Sequence, residues 1–318
     1  MPQPPIRRAA DLDGHRATVV ADDGVPISVR TFGEPDAALT VVFVHGHCLH
    51  TESWSVLREH LHGHWRSGTR MVFYDHRGHG ESGHADPATY TIDQLAHDLE
   101  AVLRCLAPAG PVVLIGHSMG AMVVLAYTRL YPQSVGERVA GIGLIAGAAG
   151  GLTEIGLGRL LNRFAVASLQ HVVVRAPRIL QASKRFSRWL LAPLIRETAA
   201  GTRHTTPRMA AVATAILSET PLLTMSGFLG SLLTYDESGT LARLRELPAL
   251  VLAGSADLMV PFAHSVVLAS QLGAAELVRI DGAGHSVILD CADEVARSVA
   301  GLVERAAAGI ADRYAVAG

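Results

Sequence analysis

The chain has 318 residues, 49% of them hydrophobic, with a formal net charge of −2. That is apolar material enough for a large core, which excludes a disordered chain, and the near-neutral balance lacks the basic signature of a nucleic-acid binder. Cys48, Cys105 and Cys291 are odd in number, scattered and without metal-ligand spacing, so no disulfide framework is expected and a reducing cytoplasm is the expected location. Residues 1–13 lack the apolar run of a secretory signal, and the most apolar long stretch, residues 209–235, is broken by Glu219 and Pro221, which argues against a membrane span.

After a loose N-terminus (residues 1–15), residues 17–20 and 25–32 read as strands around the turn signal Asp22-Asp23-Gly24. Residues 40–44 form a fully apolar strand that runs into His45-Gly46-His47-Cys48-Leu49-His50, followed by a helix-like segment at residues 52–60. His45, His47, His50 and Cys48 raise the question of a metal, but spacing on one turn without neighbouring carboxylates does not converge on an ion, so none is expected. Residues 71–74 are the next strand. They lead into Asp75-His76-Arg77-Gly78-His79-Gly80-Glu81-Ser82, a polar, glycine-rich loop in which Asp75 is expected to pair with a nearby arginine. Residues 91–106 have helical periodicity, with Asp93 near the start.

Residues 111–115 are an apolar, β-branched strand ending in Gly116-His117-Ser118-Met119-Gly120, and the Gly- and Pro-free segment at 121–131 reads as a helix. Strand, tight turn and helix are the context in which a G-x-S-x-G pentapeptide lifts its serine above the sheet, so Ser118 is the candidate nucleophile. The helix N-terminus favours negative charge at the same place. The N–H of Met119, and that of His47 after the strand at 40–44, are the candidate oxyanion donors. A further strand at 139–146 completes a strand-helix alternation that means a mainly parallel sheet with helices on both faces.

The alternation then stops. Residues 147–246 read as a helical insertion of lid size, broken by Pro177, Pro193, Pro207 and Pro221. Its first part is basic, with Arg159, Arg163, Arg175, Arg178, Lys184, Arg185, Arg188, Arg196 and Arg203. That face is either solvated or a contact for anionic lipid or an anionic substrate. The strand pattern returns at 248–254, followed by Asp257, then at 277–280, followed by Asp281 and Gly284-His285. A helix at 294–307 closes the core, and residues 308–318 are expected to fray. The core thus comprises residues 16–146 and 247–307. Ser118, Asp257 and His285 come in the chain order Ser…Asp…His.

These motifs in this order resemble the α/β-hydrolase superfamily. The resemblance covers residues 25–307 apart from the insertion, and implies its doubly covered, mainly parallel sheet, a serine nucleophile and a helical lid. The chemistry follows from the residue types: a serine hydroxyl needs a base, His285 can take its proton and return it to the leaving group, and Asp257 would fix the imidazole tautomer. No cofactor is required. The expected reaction is hydrolysis of a small-molecule carboxylic ester with a hydrophobic acyl group. Phe164, Leu222 and Phe228 are candidates for the acyl pocket, with Leu160, Leu161, Leu223 and Leu229. Thioester hydrolysis, acyl transfer and C–C bond hydrolysis would use the same residues, and a ligand sensor that retains them is the alternative outside enzymes. Epoxide and haloalkane hydrolases of this fold carry an aspartate where Ser118 stands.

Overall fold

Strands β3 (Leu39–Val44), β5 (Val112–His117), β6 (Val139–Ile145) and β7 (Ala249–Gly254) are buried along their whole length. Helices cover both of their faces, so their sequences are continuous apolar runs rather than alternations. The computed structural model describes residues 14–65, 68–156, 166, 168, 170, 171, 173 and 219–317, with side chains described as far as residue 311. With β1 (His15–Val20), β2 (Pro26–Phe32), β4 (Thr69–Tyr74) and β8 (Ala275–Ile280) the sheet has the order β1-β2-β4-β3-β5-β6-β7-β8. The β1–β2 and β2–β4 pairs are antiparallel and every later pair is parallel.

Alternate residues of the central strands divide between two cores. Val42, Val44, Leu114 and Leu144 pack with helices α2 (Ile92–Leu106) and α3 (Met119–Leu130) on one face. Val41, Phe43, Val113 and Ile115 pack with α1 (Ser55–His64) and the closing helix on the other. Because β4 and β5 lie on opposite sides of β3, the chain reverses its direction of travel across the sheet there, and the loops leaving β3 and β5 diverge. A crevice outside the carboxyl ends of strands at such a switch point is where open α/β sheets take their ligands.

Helix α2 begins where Thr91 caps it, its hydroxyl accepting from the Gln94 N–H at 3.1 Å. The later helices are α4 (Leu222–Thr234), α5 (Phe262–Gln271), α6 (Val287–Asp290) and α7 (Ala292–Ala317). Helix α5 has no counterpart among the sequence expectations. It carries no Asp, Glu, Lys or Arg and exposes Val266 and Val267, so it has no polar stripe to give it a helical period. Helix α7 runs ten residues past the expected end at 307. Asp75 differs from expectation too: among the described residues it pairs with no arginine but accepts backbone N–H groups from Thr51 at 2.7 Å and Glu81 at 2.8 Å. The arginine of that loop, Arg77, is fully buried and forks onto Asp98 at 2.6 and 2.7 Å, with Asp23 at 2.7 Å on its outer side.

Of the insertion, residues 147–156 and 219–246 are described in full. Phe164, Leu160, Leu161 and the basic residues from Arg159 to Arg203 lie outside the described residues. Among the described residues no helix is long and apolar enough to cross a membrane.

Candidate active site

Ser118 stands between β5 and α3 with φ 53° and ψ −119°, a conformation that L-residues rarely adopt. Two glycines make the turn sterically feasible. A Cβ on Gly116 would lie 2.4 Å from the Gly120 carbonyl oxygen, and one on Gly120 would lie 2.0 Å from that of Val44. Among the described residues the other non-glycine positions with positive φ are Cys48 at 60° and Ala146 at 49°. All three follow central strands (β3, β5 and β6), so backbone strain concentrates at the carboxyl edge of the sheet, where strained residues commonly serve function.

Three side chains meet above this edge. The His285 Nε2 lies 2.9 Å from Ser118 Oγ, and His285 Nδ1 lies 2.8 Å from Asp257 Oδ2. The other oxygen of Asp257 accepts the N–H groups of Met259 at 2.9 Å and Val260 at 2.8 Å, which aims Oδ2 at the imidazole. The Asp257 side chain has no exposure and that of His285 only 12%. The two loops are tied together: the Gly282 N–H donates to Ser255 Oγ at 2.8 Å and the Ala256 N–H to the Ala283 carbonyl at 2.9 Å. Two other acids that follow strands into loops, Asp75 and Asp281, are elsewhere. Both oxygens of Asp75 are engaged by backbone, and Asp281 is 83% exposed beside Arg279.

The turn after β3 packs against the elbow, since a Cβ on Gly46 would lie 3.1 Å from Ser118 Cβ and 3.0 Å from His117 Nδ1. The turn that carries His47 therefore lies beside the elbow, and Met119, the first residue of α3, has an N–H without a partner within the helix. The turn is framed by buried histidines. The His76 N–H donates to His45 Nε2 at 2.9 Å, and His45 Nδ1 donates to the Gly46 carbonyl at 2.8 Å. The Cys48 N–H donates to His79 Nε2 at 3.3 Å, and His79 Nδ1 donates to the Arg77 carbonyl at 3.1 Å. His117 Nε2 donates to the His285 carbonyl at 2.9 Å and so pins the loop that carries the imidazole. Burial pushes His45 and His117 down to about 3 and His47 down to about 4, and holds His76 and His79 well below the usual imidazole range. All five are neutral at pH 7, and the ring nitrogens that accept from backbone N–H groups are not free for a metal. Among the described residues no three His, Cys, Asp or Glu side chains converge as metal ligands.

Of the expected pocket residues, Phe228 is fully buried, its ring 6.0 Å from that of His47, 5.6 Å from His79 and 5.0 Å from Tyr90. Leu222 is buried one turn and a half earlier on the same helix. Sequence reasoning missed the roles of His79 and His117. His117 lies inside the pentapeptide, yet no local signal says where its ring points.

Residues 41–298 match the model of the Alpha/beta hydrolase family. Over 134 residues the chain is 36% identical to "Probable oxidoreductase EphD" of Mycobacterium tuberculosis, a match covering 41% of this chain and 21% of that one. Over 115 residues it is 33% identical to "Bifunctional esterase/perhydrolase DCH" of Acinetobacter calcoaceticus, covering 36% of this chain and 40% of the other. The chain therefore spans about a fifth of the length of the first of these relatives and two fifths of the second. Among solved structures, the esterase from Thermogutta terrifontis superposes with TM-score 0.74 at 22% identity, covering 92% of this chain and 99% of that one. The enol-lactonase from Burkholderia xenovorans gives 0.70 at 21%, covering 91% and 100%. These two likenesses are of fold. With a family match across most of the sheet, and the elbow, acid loop and histidine loop all at the carboxyl edge, the chain belongs to the alpha/beta hydrolase family.

Proposed function

We propose that the protein is a serine hydrolase that cleaves a small-molecule carboxylic ester with a hydrophobic acyl group. One observation carries the reading: the unbroken hydrogen-bonded line from Asp257 through His285 to Ser118, ending at a strained elbow. In that line His285 Nε2 takes the Ser118 proton as Oγ attacks the ester carbonyl. Asp257 holds Nδ1–H and stabilises the imidazolium. The tetrahedral oxyanion sits between the N–H groups of His47 and Met119, aided by the N-terminus of α3. His285 returns the proton to the departing alkoxide, and water, activated by the same imidazole, releases the acid from the acyl-enzyme.

The relatives named as esterases point the same way, and so does the apolar wall that Leu222 and Phe228 give to the segment re-entering from the insertion. The test is a panel of p-nitrophenyl esters and acyl-thioesters of varied chain length, run with and without a fluorophosphonate. Sustained turnover of esters, blocked by the phosphonate, is the expected result. A single slow turnover ending in a stable adduct would overturn it.

A further inference from the structure

Histidine 47 enters the proposed mechanism through its backbone, but its ring is also held. It lies against His79 of the loop after β4, the ring centroids 6.0 Å apart. The ring meets Phe228 edge to face at 6.0 Å and 71°, and its Nδ1 is buried. Helix α4 is a fixed anchor: Ser231 Oγ accepts the N–H of Ile92 at 3.0 Å, Phe228 packs on Tyr90, and Thr224 lies against Gly78. The turn below is strained, because Cys48, the next residue, is held at φ 60°. Such a conformation persists only when its surroundings over-determine it. From the core side the Cys48 N–H is taken by His79, and the Leu49 N–H closes on the Gly46 carbonyl at 3.2 Å.

We propose that the His47 ring is a positioning residue, a strut from α4 that holds the strained turn and so sets where the His47 N–H lies relative to Ser118. This rests on the reading of that N–H as an oxyanion donor. Without the strut, Cys48 relaxes toward ordinary φ. The turn cannot move toward the elbow, because Gly46 already packs on Ser118 Cβ and His117. It therefore moves away, and the N–H retreats from the oxyanion. The ring's aromatic contacts are with Phe228 and His79, so it acts through the turn, and its loss is felt in kcat rather than in ester binding.

The test compares His47→Ala, His47→Gln and His47→Phe by ester kinetics and thermal unfolding, with Ser118→Ala as the control. A donor aimed at the transition state and displaced by a fraction of an ångström predicts a fall in kcat of about ten- to a hundredfold for His47→Ala, with KM within about twofold. His47→Phe, which keeps an aromatic ring against Phe228, should recover most of that loss. His47→Gln, which has no ring to meet Phe228, should not. A folded His47→Ala with unchanged kcat, or a loss confined to KM, would overturn the strut. If His47→Ala does not fold, equal kcat for the Gln and Phe variants overturns it. Turnover that survives in Ser118→Ala would instead remove the underlying hydrolase reading, whatever the His47 variants do.

Discussion

At the scale of single residues, the site is defined by what each group is prevented from doing. Ser118 cannot relax out of its positive φ, Asp257 cannot turn away from His285 while Met259 and Val260 hold its other oxygen, and His285 cannot leave while His117 holds its carbonyl. Two predictions belong here. A fluorophosphonate should label the native protein and not Ser118→Ala, as read by mass spectrometry; equal labelling of both would refute the nucleophile. Asp257→Asn should fold with near-native stability yet lose about 10³- to 10⁴-fold in kcat, because the amide imposes the wrong imidazole tautomer. Near-native kcat in Asp257→Asn together with a dead Asp75→Asn would show that the acid had been misassigned.

At the scale of elements, the loop after β4 is held by a buried ion pair rather than by apolar packing. Burial works against the charge of Arg77, yet its hydrogen bonds with Asp98 and Asp23 hold the guanidinium above its ordinary pKa. Asp98 is itself 1% exposed. Removing one partner of such a pair leaves the other buried and uncompensated, so Arg77→Ala and Asp98→Ala should each destabilise by about 3–5 kcal/mol in urea unfolding. Arg77→Lys should recover little of it, since an ammonium cannot fork onto two carboxylates. A loss below about 1 kcal/mol in either alanine variant would contradict this account. Helix α4 carries the second element-scale prediction. If its Leu222–Phe228 face lines the acyl pocket, each buried substrate CH₂ is worth about 0.8 kcal/mol. Octanoate should then exceed acetate in kcat/KM by at least about tenfold, and Phe228→Ala should shift the optimum to longer chains. Equal rates for the two esters, unmoved by Phe228→Ala, would place the pocket elsewhere.

At the scale of the whole molecule, five neutral histidines lie in the packing between the turn after β3, the Asp75 loop and the elbow. In the unfolded chain each titrates near 6.5, whereas in the fold His45 and His117 do so at about 3, His47 at about 4, and His76 and His79 well below their usual range. Folded pKa values lie below the unfolded ones, so the unfolded chain binds more protons and stability falls as the pH drops below 6.5. Each contribution stops growing only at its folded pKa. One pH unit below 6.5 the five together cost on the order of several kcal/mol, comparable with the whole stability of many proteins. Asp75 and Asp98, raised by burial, take up protons first in the folded state and offset part of this at the acid end. The protein should therefore unfold steeply between about pH 6 and pH 4.5, read by near-UV circular dichroism. A flat urea midpoint from pH 7.5 to 5.5 would mean that these rings are not buried neutral.

The sequence by itself determined the parts of this protein whose physics is local. The apolar runs of β3, β5, β6 and β7 read as buried strands, and a serine flanked by Gly116 and Gly120 between strand and helix read as an elbow rather than an ordinary turn. The alternation of strands and helices was legible for the same reason. The tertiary structure decided what depends on distant parts of the chain meeting. His285 reaches Ser118 across 167 positions, and of Asp75, Asp257 and Asp281, it is Asp257 whose oxygen arrives at the imidazole. The exchange of strand order at β3, the pairing of Arg77 with Asp98 in place of Asp75, and the two-sided hold on the His47 turn likewise have no local signature. A buried side chain's partner is set by the packing of several elements at once, and a histidine in a glycine-rich loop has the same neighbours in sequence whether its ring faces water, a carbonyl or another imidazole.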